Sequence, residues 1–368
     1  MKVLITGASG FIGKNLKVHL TELKDIEVFT FTREQSLSDL PDLINNMDFV
    51  FHLAGVNRPE TVDQFKTGNI DLTLAICDAI EASDNKIPMI FSSSIQATKD
   101  NPYGHSKLAA EQELLKFSEK NGSPVYIFRL PNVFGKWCKP NYNSVVATFC
   151  NNMVNDIPIE IHDRSTKLKL VYIDDVIRQL ISVLHAPKNK DAYCHIDPVY
   201  EISLGKLADK ISSYKNSRDT LITEKVGVGI DRALHSTYLS YIQPNNFSYP
   251  LVKHGDQRGV FVEMLKTKDS GQISFFTAHP GITRGGHYHH SKTEKFLVIK
   301  GEALFKFKNI LNNESYELKT TGNDPEIVET VPGWTHDITN TGNEEMLVML
   351  WANEIFDKDL PDTYACPL

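Results

Sequence analysis

The chain contains 368 residues, of which 41% are hydrophobic and 23% charged, the balance of an ordinary folded protein. Its formal net charge is −7 and its basic residues do not cluster, which argues against a nucleic acid or an anionic membrane surface as a partner. The length exceeds what one hydrophobic core usually supports, so we expect two domains, residues 1–243 and 247–368.

The first thirteen residues, MKVLITGASGFIG, combine a strand-like run with regularly spaced glycines. Residues 2–6 are typical of a buried parallel strand, Gly7, Gly10 and Gly13 follow at three-residue spacing, and helical periodicity begins next. A strand that passes through glycines into a helix N-terminus presents backbone N–H groups to a pyrophosphate. The alternative is a tight turn without a ligand. We interpret the segment as a nucleotide-binding turn.

Strand-like and helix-like runs alternate from residue 1 to about residue 200. Strands are predicted at VLIT (3–6), EVFTFT (27–32), FVFHLAG (49–55), PMIFSSS (88–94) and VYIFRL (125–130). Amphipathic stretches lie between them, for example at 71–83 and 106–120. This rhythm predicts an α/β fold, in which helices wind around both faces of a parallel sheet.

A Y-x-x-x-K pattern occurs three times, as Tyr103/Lys107, Tyr249/Lys253 and Tyr288/Lys292. The first copy alone begins a predicted helix and follows a strand that ends in three serines. Residues four apart share one helix face, and a nearby ammonium group lowers the pKa of a phenol, so Tyr103 could exchange a proton near neutrality. A serine of the preceding strand would hold the substrate oxygen. The alternative is a surface tyrosine with a solvated lysine.

Several motifs together resemble the extended short-chain dehydrogenase/reductases that process nucleotide sugars. They are GASGFIG (7–13, with the preceding strand), FHLAG (51–55), the SSS strand, YGHSK (103–107), LPNVFG (130–135) and YIDDV (172–176). The resemblance implies that Tyr103 is the proton donor, that Lys107 holds the nicotinamide ribose, and that Ser94 binds the keto oxygen. Only eight residues separate Ser94 from Tyr103, fewer than is usual in this family, so Ser93 stays open as the alternative.

The same resemblance implies which residues contact the cofactor and the sugar nucleotide. The cofactor-binding set is Gly7, Ser9, Gly10, Phe11, Ile12, Gly13, Leu53, Ala54 and Lys107. Asn132, in the LPNVFG motif, is implied as a substrate-binding residue.

Cofactor choice depends on the end of the second predicted strand, roughly twenty residues after the last glycine. An NAD enzyme usually places an acidic residue there, whereas this chain has Phe31, Thr32 and Arg33. Arg33 can pair with a 2′-phosphate, which favours NADP(H). Glu34 next to it keeps NAD open as the alternative.

The pattern of hydrophobic and turn-forming residues changes after about residue 247. Short strand-like runs succeed one another between Gly, Pro, Asn and Asp turns, and helical periodicity is nearly absent. The runs are GVFVEMLK (259–266), QISFFTA (272–278), EKFLVIKGEALFKF (294–307), IVETVPG (327–333) and EMLVMLWA (345–352). We therefore predict an all-β sandwich or barrel for this part.

Residues 281–301, GITRGGHYHHSKTEKFLVIKG, contain a possible set of metal ligands. His287 and His289 would point to the same face of a strand, Glu294 follows, and His336 lies in PGWTH, a turn before another strand. Three imidazoles and one carboxylate would form a site for a divalent metal ion.

These residues are similar to the cupin signature. The matching positions are Gly281, His287, His289, Glu294 and Gly301, followed by Pro332, Gly333, His336 and Asn340. The resemblance implies a jelly-roll barrel with one divalent ion, zinc being the first candidate. The alternative is a metal-free cupin whose histidines do something else.

A further resemblance connects HGDQRGVFVE (254–263) and ITRGGHYHH (282–290) with the nucleotide-sugar 3,5-epimerases, which are metal-free cupins. It implies that Arg258 binds the substrate diphosphate with Arg284 nearby, and that His287 is the catalytic base. The tyrosine acid of that family has no counterpart in residues 345–354. A metal-bound imidazole is a poor base, so His290 is a second candidate base if His287 is a ligand.

The five cysteines are far apart and include no C-x-x-C pair, which favours reduced thiols in the cytosol. The chain enters a strand-like run at residue 2, which leaves no room for a signal peptide, and no apolar run approaches the ~20 residues of a membrane helix. We therefore expect a cytoplasmic protein with no membrane partner.

A ketosugar reductase joined to an epimerase-like cupin resembles the bifunctional enzymes of capsular polysaccharide synthesis. The resemblance implies NADPH-dependent reduction of a UDP-2-acetamido-2,6-dideoxy-4-hexulose, coupled to epimerisation at carbon 3, on the route to UDP-N-acetyl-L-fucosamine. We expect a UDP-sugar as the substrate and a homodimer as the assembly. The alternatives are a plain reductase whose cupin is a structural, dimer-forming module, and a catalytically inactive NADP-binding sensor.

Overall fold

The computed structural model describes residues 1–185, 191–252, 254–256, 259–261, 265–267, 271–354 and 359–368. By contact density these residues form two compact units, Met1–Val133 with Lys169–Glu201, and Phe134–Leu168 with Ile202–Leu368. The second unit therefore includes segments that precede residue 247. The domain limits proposed above follow the change in sequence character and stay a prediction.

The strands of the first two hundred residues are short and mostly buried. They are β1 (Lys2–Thr6), β2 (Glu27–Phe31), β3 (Phe49–His52), β4 (Met89–Ser94), β5 (Val125–Leu130), β6 (Asn132–Phe134), β7 (Lys167–Tyr172), β8 (Tyr193–Cys194) and β9 (Tyr200–Ser203). In the first unit they form a parallel sheet with the order β2-β1-β3-β4-β5-β8. The predicted α/β fold with a parallel sheet is confirmed.

Helices connect these strands and continue beyond them. They are α1 (Phe11–Thr21), α2 (Leu40–Ile44), α3 (Asp63–Phe65), α4 (Leu72–Ala82), α5 (Pro102–Asn121), α6 (Val145–Val154), α7 (Ile173–Ser182), α8 (Leu204–Thr220) and α9 (Gly229–Leu239). Among the described residues, none of the helices has both the length and the apolar character that crossing a bilayer requires.

The core of the first unit lies between the sheet and its helices. Val50, Phe91 and Ile127, on three neighbouring strands, are fully buried against Ile76 of α4 and Leu114 of α5. Parallel strands covered on both faces are apolar almost throughout, which explains why these runs do not alternate with polar residues. The sheet therefore offers its carboxyl edge, rather than a face, to a ligand.

Helix α5 has clear start and stop signals. The side-chain oxygen of Asn101 accepts a hydrogen bond from the backbone N–H of Gly104 at 2.8 Å, and Pro102 occupies the first helical position. The helix ends at Gly122, whose φ of +80° is left-handed. These signals place Tyr103 in the first turn of α5.

The second unit contains antiparallel β-sheets together with α6, α8 and α9. Its strands after residue 221 are β10 (Ile222–Thr223), β11 (Ser248–Pro250), β12 (His254–Asp256), β13 (Gly259–Phe261), β14 (Lys266–Thr267), β15 (Gln272–Ala278), β16 (Thr283–Tyr288), β17 (Glu294–Lys300), β18 (Glu302–Asn309), β19 (Ser315–Thr321), β20 (Glu326–Glu329), β21 (Trp334–Asn340), β22 (Met346–Ala352) and β23 (Tyr364–Ala365). The two main sheets have the orders β11-β20-β17-β22-β15 and β19-β18-β21-β16-β23. Among the described residues after 247, the predicted all-β architecture is confirmed.

Aromatic side chains fill the interior of the β-rich part. Along β18, Ala303, Phe305 and Phe307 are buried and alternate with more exposed residues, as the two-residue period of a strand requires. The fully buried ring of Phe247 packs edge-on against the rings of Phe307 and Trp334, with centroids 5.3 and 5.1 Å away. Phe247 therefore anchors the segment that leads into the sheets.

A buried ion pair lies at the start of β17. The ammonium group of Lys295 is 2.8 Å from a carboxylate oxygen of Glu329 and donates a hydrogen bond to the hydroxyl of Tyr249 at 2.7 Å. Burial alone would lower the pKa of Lys295, but the charge of Glu329 and the contact with Tyr249 outweigh it and raise that pKa. Arg218 of α8 stacks on Tyr249 and lies 3.4 Å from Glu329, so this cluster joins α8 to the sheet.

Lys295→Met should destabilise the second unit, because it leaves the carboxylate of Glu329 buried without its main partner. We expect a loss of about 3 kcal/mol, seen as a lower midpoint of thermal unfolding followed by circular dichroism. Lys300→Met is the matched control on the same strand, since Lys300 is 61% exposed and pairs with Glu344 at the surface. Equal melting temperatures for the two variants would contradict the assigned role of the buried pair.

Candidate functional site

The glycine turn follows β1 at the carboxyl edge of the parallel sheet. Gly7 has a φ of +73°, and a β-carbon there would lie 2.7 Å from backbone atoms of Ala54. A β-carbon on Gly13 would lie 2.2 Å from the carbonyl oxygen of Gly7. These close approaches exclude side chains at both positions and bring the turn against the end of β3, where Leu53 and Ala54 are located.

The turn leaves the start of α1 open to a ligand. Gly10 caps this helix without a side-chain hydrogen bond, and Phe11 and Ile12, in its first turn, are half-buried. Ser9 is exposed next to them. Free N–H groups at a helix N-terminus favour an anion, so the arrangement suits the pyrophosphate of a dinucleotide.

Arg33 lies just beyond the end of β2, the strand next to β1. The backbone N–H of Gly7 donates a hydrogen bond to the carbonyl oxygen of Phe31 at 3.2 Å, which ties the glycine turn to the end of β2. Arg33 and Glu34 follow two and three residues later, and both are exposed. Both side chains are therefore located near the predicted cofactor turn and accessible from solvent.

Lys107 is buried in the interior of the first unit. Its side chain is 4% exposed, and its ammonium group donates a hydrogen bond to the carbonyl oxygen of Ser92 at 3.0 Å. Burial lowers the pKa of Lys107 to about 8, while the charge of Glu111 acts in the opposite direction. Tyr103 precedes it by one turn of α5 and is half-buried, with its ring 5.9 Å from that of Phe65. The predicted pair thus lies at the end of β4.

The serines at the end of β4 have different partners. The hydroxyl of Ser93 donates to the carboxylate of Glu111, which also accepts hydrogen bonds from Arg129 at 3.0 and 3.2 Å and from the hydroxyl of Tyr193 at 3.0 Å. Ser94 is half-buried, and its oxygen accepts a hydrogen bond from the N–H of Gln96 at 3.1 Å. Ser93 is buried and its hydroxyl is used by Glu111, so the half-buried Ser94 is the better candidate for binding a substrate.

Asn69 is a residue of this region that sequence reasoning missed. It is 1% exposed and belongs to a π-helical segment, Lys66–Asp71, a distortion often found at functional sites. Its side chain accepts from the N–H of Val56 at 2.7 Å and donates to the hydroxyl of Ser106 at 2.9 Å. Asn69 therefore joins the loop after β3 to the helix that carries Tyr103. No motif around it signalled this role.

Asn132, the predicted substrate-binding residue, is exposed at the start of β6. Its side-chain amide donates a hydrogen bond to the carbonyl oxygen of Lys169 at 3.3 Å. Its side chain is therefore accessible to a ligand.

The four predicted metal ligands converge in the second unit. One ligand atom from each of His287, His289, Glu294 and His336 lies within 4.8 Å of the other three. His287 on β16 pairs in register with His336 on β21, and Glu294 begins β17. A carboxylate oxygen of Glu294 is 3.1 Å from Nε2 of His289 and 3.4 Å from Nε2 of His336.

The electrostatics of this cluster suit a cation. Burial lowers the pKa of His287 to about 4, and the neighbouring His336 and His289 contribute to the same lowering. Burial alone would raise the pKa of Glu294, but its hydrogen bonds to His289 and His336 hold that pKa well below the usual value. A neutral imidazole and an ionised carboxylate are the forms that bind metal ions. Three imidazoles and one carboxylate within this distance would hold a divalent metal ion.

Arg284 and His290, also predicted for this site, make contacts of their own outside the four-residue cluster. Arg284 is exposed on β16, where its guanidinium group donates to the carbonyl oxygen of Thr277 at 2.7 Å. The ring of His290 packs against those of Tyr288 and Tyr364, with centroids 5.6 and 4.8 Å away, rather than among the metal ligands. Arg258 lies outside the described residues.

Two C-terminal residues near the cluster were also missed. Tyr364 of β23 lies ten residues beyond 345–354, the segment without a tyrosine, and packs beside His290. Asp362 accepts hydrogen bonds from residues 290–292 through its carboxylate and from His289 through its carbonyl oxygen. No spacing rule connects these positions with the histidine motif.

Comparisons with known proteins match both parts of the chain. The NAD dependent epimerase/dehydratase family matches residues 3–197, and the polysaccharide biosynthesis C-terminal domain matches residues 254–364. A UDP-2-acetamido-2,6-beta-L-arabino-hexul-4-ose reductase of Pseudomonas aeruginosa is 60% identical over 366 residues, which cover 100% of this chain and 98% of the relative.

Solved structures show the same relationship. The crystal structure of the capsular polysaccharide assembling protein CapF of Staphylococcus aureus has 41% sequence identity and a TM-score of 0.69, and the match covers 100% of both chains. A UDP-glucuronic acid 4-epimerase of Bacillus cereus, solved with NAD, is 22% identical with a TM-score of 0.52, covering 60% of this chain and 84% of that chain. At this identity, the similarity to the Bacillus cereus enzyme shows only that the two proteins share a fold.

These matches confirm the predicted resemblance in both parts and the prediction of an NAD(P)-dependent oxidoreductase. They extend over the whole chain, and the family model alone covers more than half of it. The chain therefore belongs to the NAD dependent epimerase/dehydratase family and carries a polysaccharide biosynthesis C-terminal domain.

Proposed function

We propose that this chain uses NADPH to reduce the 4-keto group of a UDP-2-acetamido-2,6-dideoxy-4-hexulose, after its C-terminal part has inverted carbon 3 of the same sugar. The substrate assignment is supported by the full-length 60% identity to the Pseudomonas aeruginosa reductase, whose name carries a sugar of this class. The likeness to a capsular polysaccharide protein supports a place on the route to UDP-N-acetyl-L-fucosamine.

Ser94, Tyr103 and Lys107 are the residues that we assign to the reduction. The main support for this assignment is the burial of Lys107 at the end of β4. NADPH, when bound, supplies the hydride for carbon 4. The phenol of Tyr103 donates a proton to the oxygen that was the keto group, and the ammonium of Lys107 favours the phenolate left behind. The hydroxyl of Ser94 donates a hydrogen bond to the same oxygen and orients the carbonyl.

The inversion at carbon 3 follows from the chemistry of the 4-keto group. A carbonyl acidifies the hydrogen on the adjacent carbon, because the carbanion is delocalised as an enolate. A divalent ion held by the histidine–glutamate cluster would supply positive charge near that anion. Reduction of the keto group then removes the acidity and locks the new configuration.

His287 is the first candidate for the base that removes the carbon 3 proton. It is the half-buried member of the cluster, whereas His289, Glu294 and His336 are almost fully buried. If His287 instead binds the metal ion, its lone pair is used, and another group such as His290 takes the proton. In either role, His287 is required for the inversion. The exposed Arg284 on the same strand would contact the diphosphate of the substrate.

Arg33→Ala tests the preference for NADPH. Removing one charge-assisted contact with the 2′-phosphate costs about 1.5–3 kcal/mol, so we expect the KM for NADPH to rise at least ~10-fold and that for NADH to change little. Steady-state kinetics with each cofactor measures both values. Lys24→Ala, which removes an exposed positive charge before β2, is the matched control. Equal effects on the two cofactors would overturn the assignment.

The two serines at the end of β4 should separate activity from stability. Ser94→Ala removes a hydrogen bond to the keto oxygen, so kcat/KM should fall about 100-fold, while the melting temperature falls only by the loss of the half-buried contact with Gln96. Ser93→Ala removes a donor to the buried Glu111, so the melting temperature should fall while most of the activity remains. Unchanged activity in Ser94→Ala, with a large loss in Ser93→Ala, would reverse the assignment of the serines.

Tyr103→Phe and His287→Ala should separate the two chemistries. Tyr103→Phe removes the proton donor, so NADPH oxidation should fall at least ~100-fold, while exchange of deuterium from solvent into carbon 3 continues. His287→Ala should abolish that exchange, while the variant still binds NADPH. NMR of the UDP-4-hexulose in deuterated water, before and after addition of NADPH, measures both steps.

The same experiment distinguishes the alternative of a plain reductase. If the C-terminal part has only a structural or dimer-forming role, the wild-type protein will oxidise NADPH without any exchange at carbon 3. Exchange that survives in His287→Ala, or that disappears in Tyr103→Phe, would show that the inversion takes place in a different part of the chain.

A further inference from the structure

Within the last ten residues, 359–368, residues 364–366 pair with the strand that carries His287. Within this C-terminal segment, β23 pairs with β16, and Ala365 lies opposite His287. The N–H of Cys366 donates to the carbonyl oxygen of Gly286 at 2.8 Å, and its carbonyl oxygen accepts a hydrogen bond from the hydroxyl of Thr335. The segment therefore contacts both strands that provide histidines to the cluster.

Asp362 of this segment binds the short loop between two of the candidate ligands, His289 and Glu294. Its carboxylate accepts hydrogen bonds from three successive backbone N–H groups, those of residues 290, 291 and 292, at 2.8, 2.7 and 2.7 Å. It also accepts one from the hydroxyl of Ser291 at 2.9 Å. Successive N–H groups that converge on one anion fix the backbone of a loop. A single side chain thus fixes the loop that connects His289 with Glu294.

The main chain of Asp362 orients His289 directly. Its carbonyl oxygen is in hydrogen-bond contact with Nδ1 of His289. A carbonyl oxygen can only accept, so Nδ1 of His289 carries a proton, and Nε2 is the nitrogen that faces Glu294. A metal ion bound at Nε2 requires the proton on Nδ1, and the Asp362 carbonyl oxygen holds it there.

Arg232 of α9 holds the carboxylate of Asp362 in place. Its guanidinium group lies 3.6 Å from Asp362 and 3.1 Å from the carboxylate of Glu354, and it contacts the hydroxyl of Ser291. Asp362 is only 12% exposed, so its charge is shielded from water and directed at these donors.

We infer that Asp362 is a positioning residue that raises the affinity of the cluster for a divalent metal ion. Its carboxylate fixes the loop between His289 and Glu294, and thereby holds the carbonyl oxygen of the same residue against Nδ1 of His289. The inference rests on the metal site in the proposed function. Hydrogen-bond partners of metal ligands typically change metal affinity 10- to 100-fold when they are removed, so an effect of about that size is expected here.

The test compares the full-length wild-type protein with Asp362→Ala after the removal of bound metal by dialysis against a chelator. Zn²⁺ affinity is measured by competition with a chromophoric chelator, and coordination geometry by the visible absorption of bound Co²⁺. We expect one ion per chain in the wild-type protein. In Asp362→Ala the affinity should be at least ~10-fold weaker and the Co²⁺ bands altered. Asp209→Ala, which removes a carboxylate that is 69% exposed on α8, is the matched control and should bind like the wild type.

The folding of the variant determines how its metal affinity is interpreted. Circular dichroism of the metal-free proteins shows whether Asp362→Ala is folded, and if it is not, Asp362→Asn takes its place, with a smaller loss expected because one oxygen acceptor remains. Wild-type affinity in a folded Asp362 variant would overturn the inference and leave the metal site intact. A wild-type protein that binds neither ion would overturn the metal site and, with it, the role of Asp362.

Discussion

A positive charge buried beside the serine strand is the constraint on which the reductase unit depends. The ammonium group of Lys107 would be costly at this depth without partners, and it has the carbonyl oxygen of Ser92 and the charge of Glu111 one helical turn away. Glu111 is itself fully buried and is paired with Arg129. Because Lys107 and Glu111 lie on one helix, the pairing of Glu111 with the sheet also sets the position of Tyr103 relative to Ser94.

The same physical requirement shapes the β-rich part, where neighbouring residues of β17 carry buried charges of opposite sign. Glu294 is held among imidazoles, and Lys295 is paired with Glu329. Side chains alternate between the two faces of a strand, so these charges enter different environments and each needs its own partners. Glu294 thereby serves a candidate metal site, while Lys295 and Glu329 join the sheet to α8 through Arg218.

Family membership and geometry together limit the chemistry that this chain can perform. A parallel sheet with a glycine turn at its carboxyl edge suits a nicotinamide dinucleotide, and the serine, tyrosine and lysine lie at the end of β4. The histidine–glutamate cluster is a candidate metal site on a different fold. In the proposed function, both parts act on one substrate, whose keto group first acidifies a neighbouring carbon and is then reduced.

Features that follow from local periodicity could be predicted from the amino-acid sequence. Tyr103 and Lys107 are four residues apart on a helix, and His287 and His289 are two apart in an extended segment, so each pair shares a face whatever surrounds it. Which serine faces inward could be seen only in the folded chain, because the partner of Ser93 is 18 residues away on α5. The hydrogen bond between Asp362 and the N–H of His290, 72 residues apart, was likewise not predictable from sequence spacing. The pairing of β23 with β16 brings the C-terminal segment to the cluster.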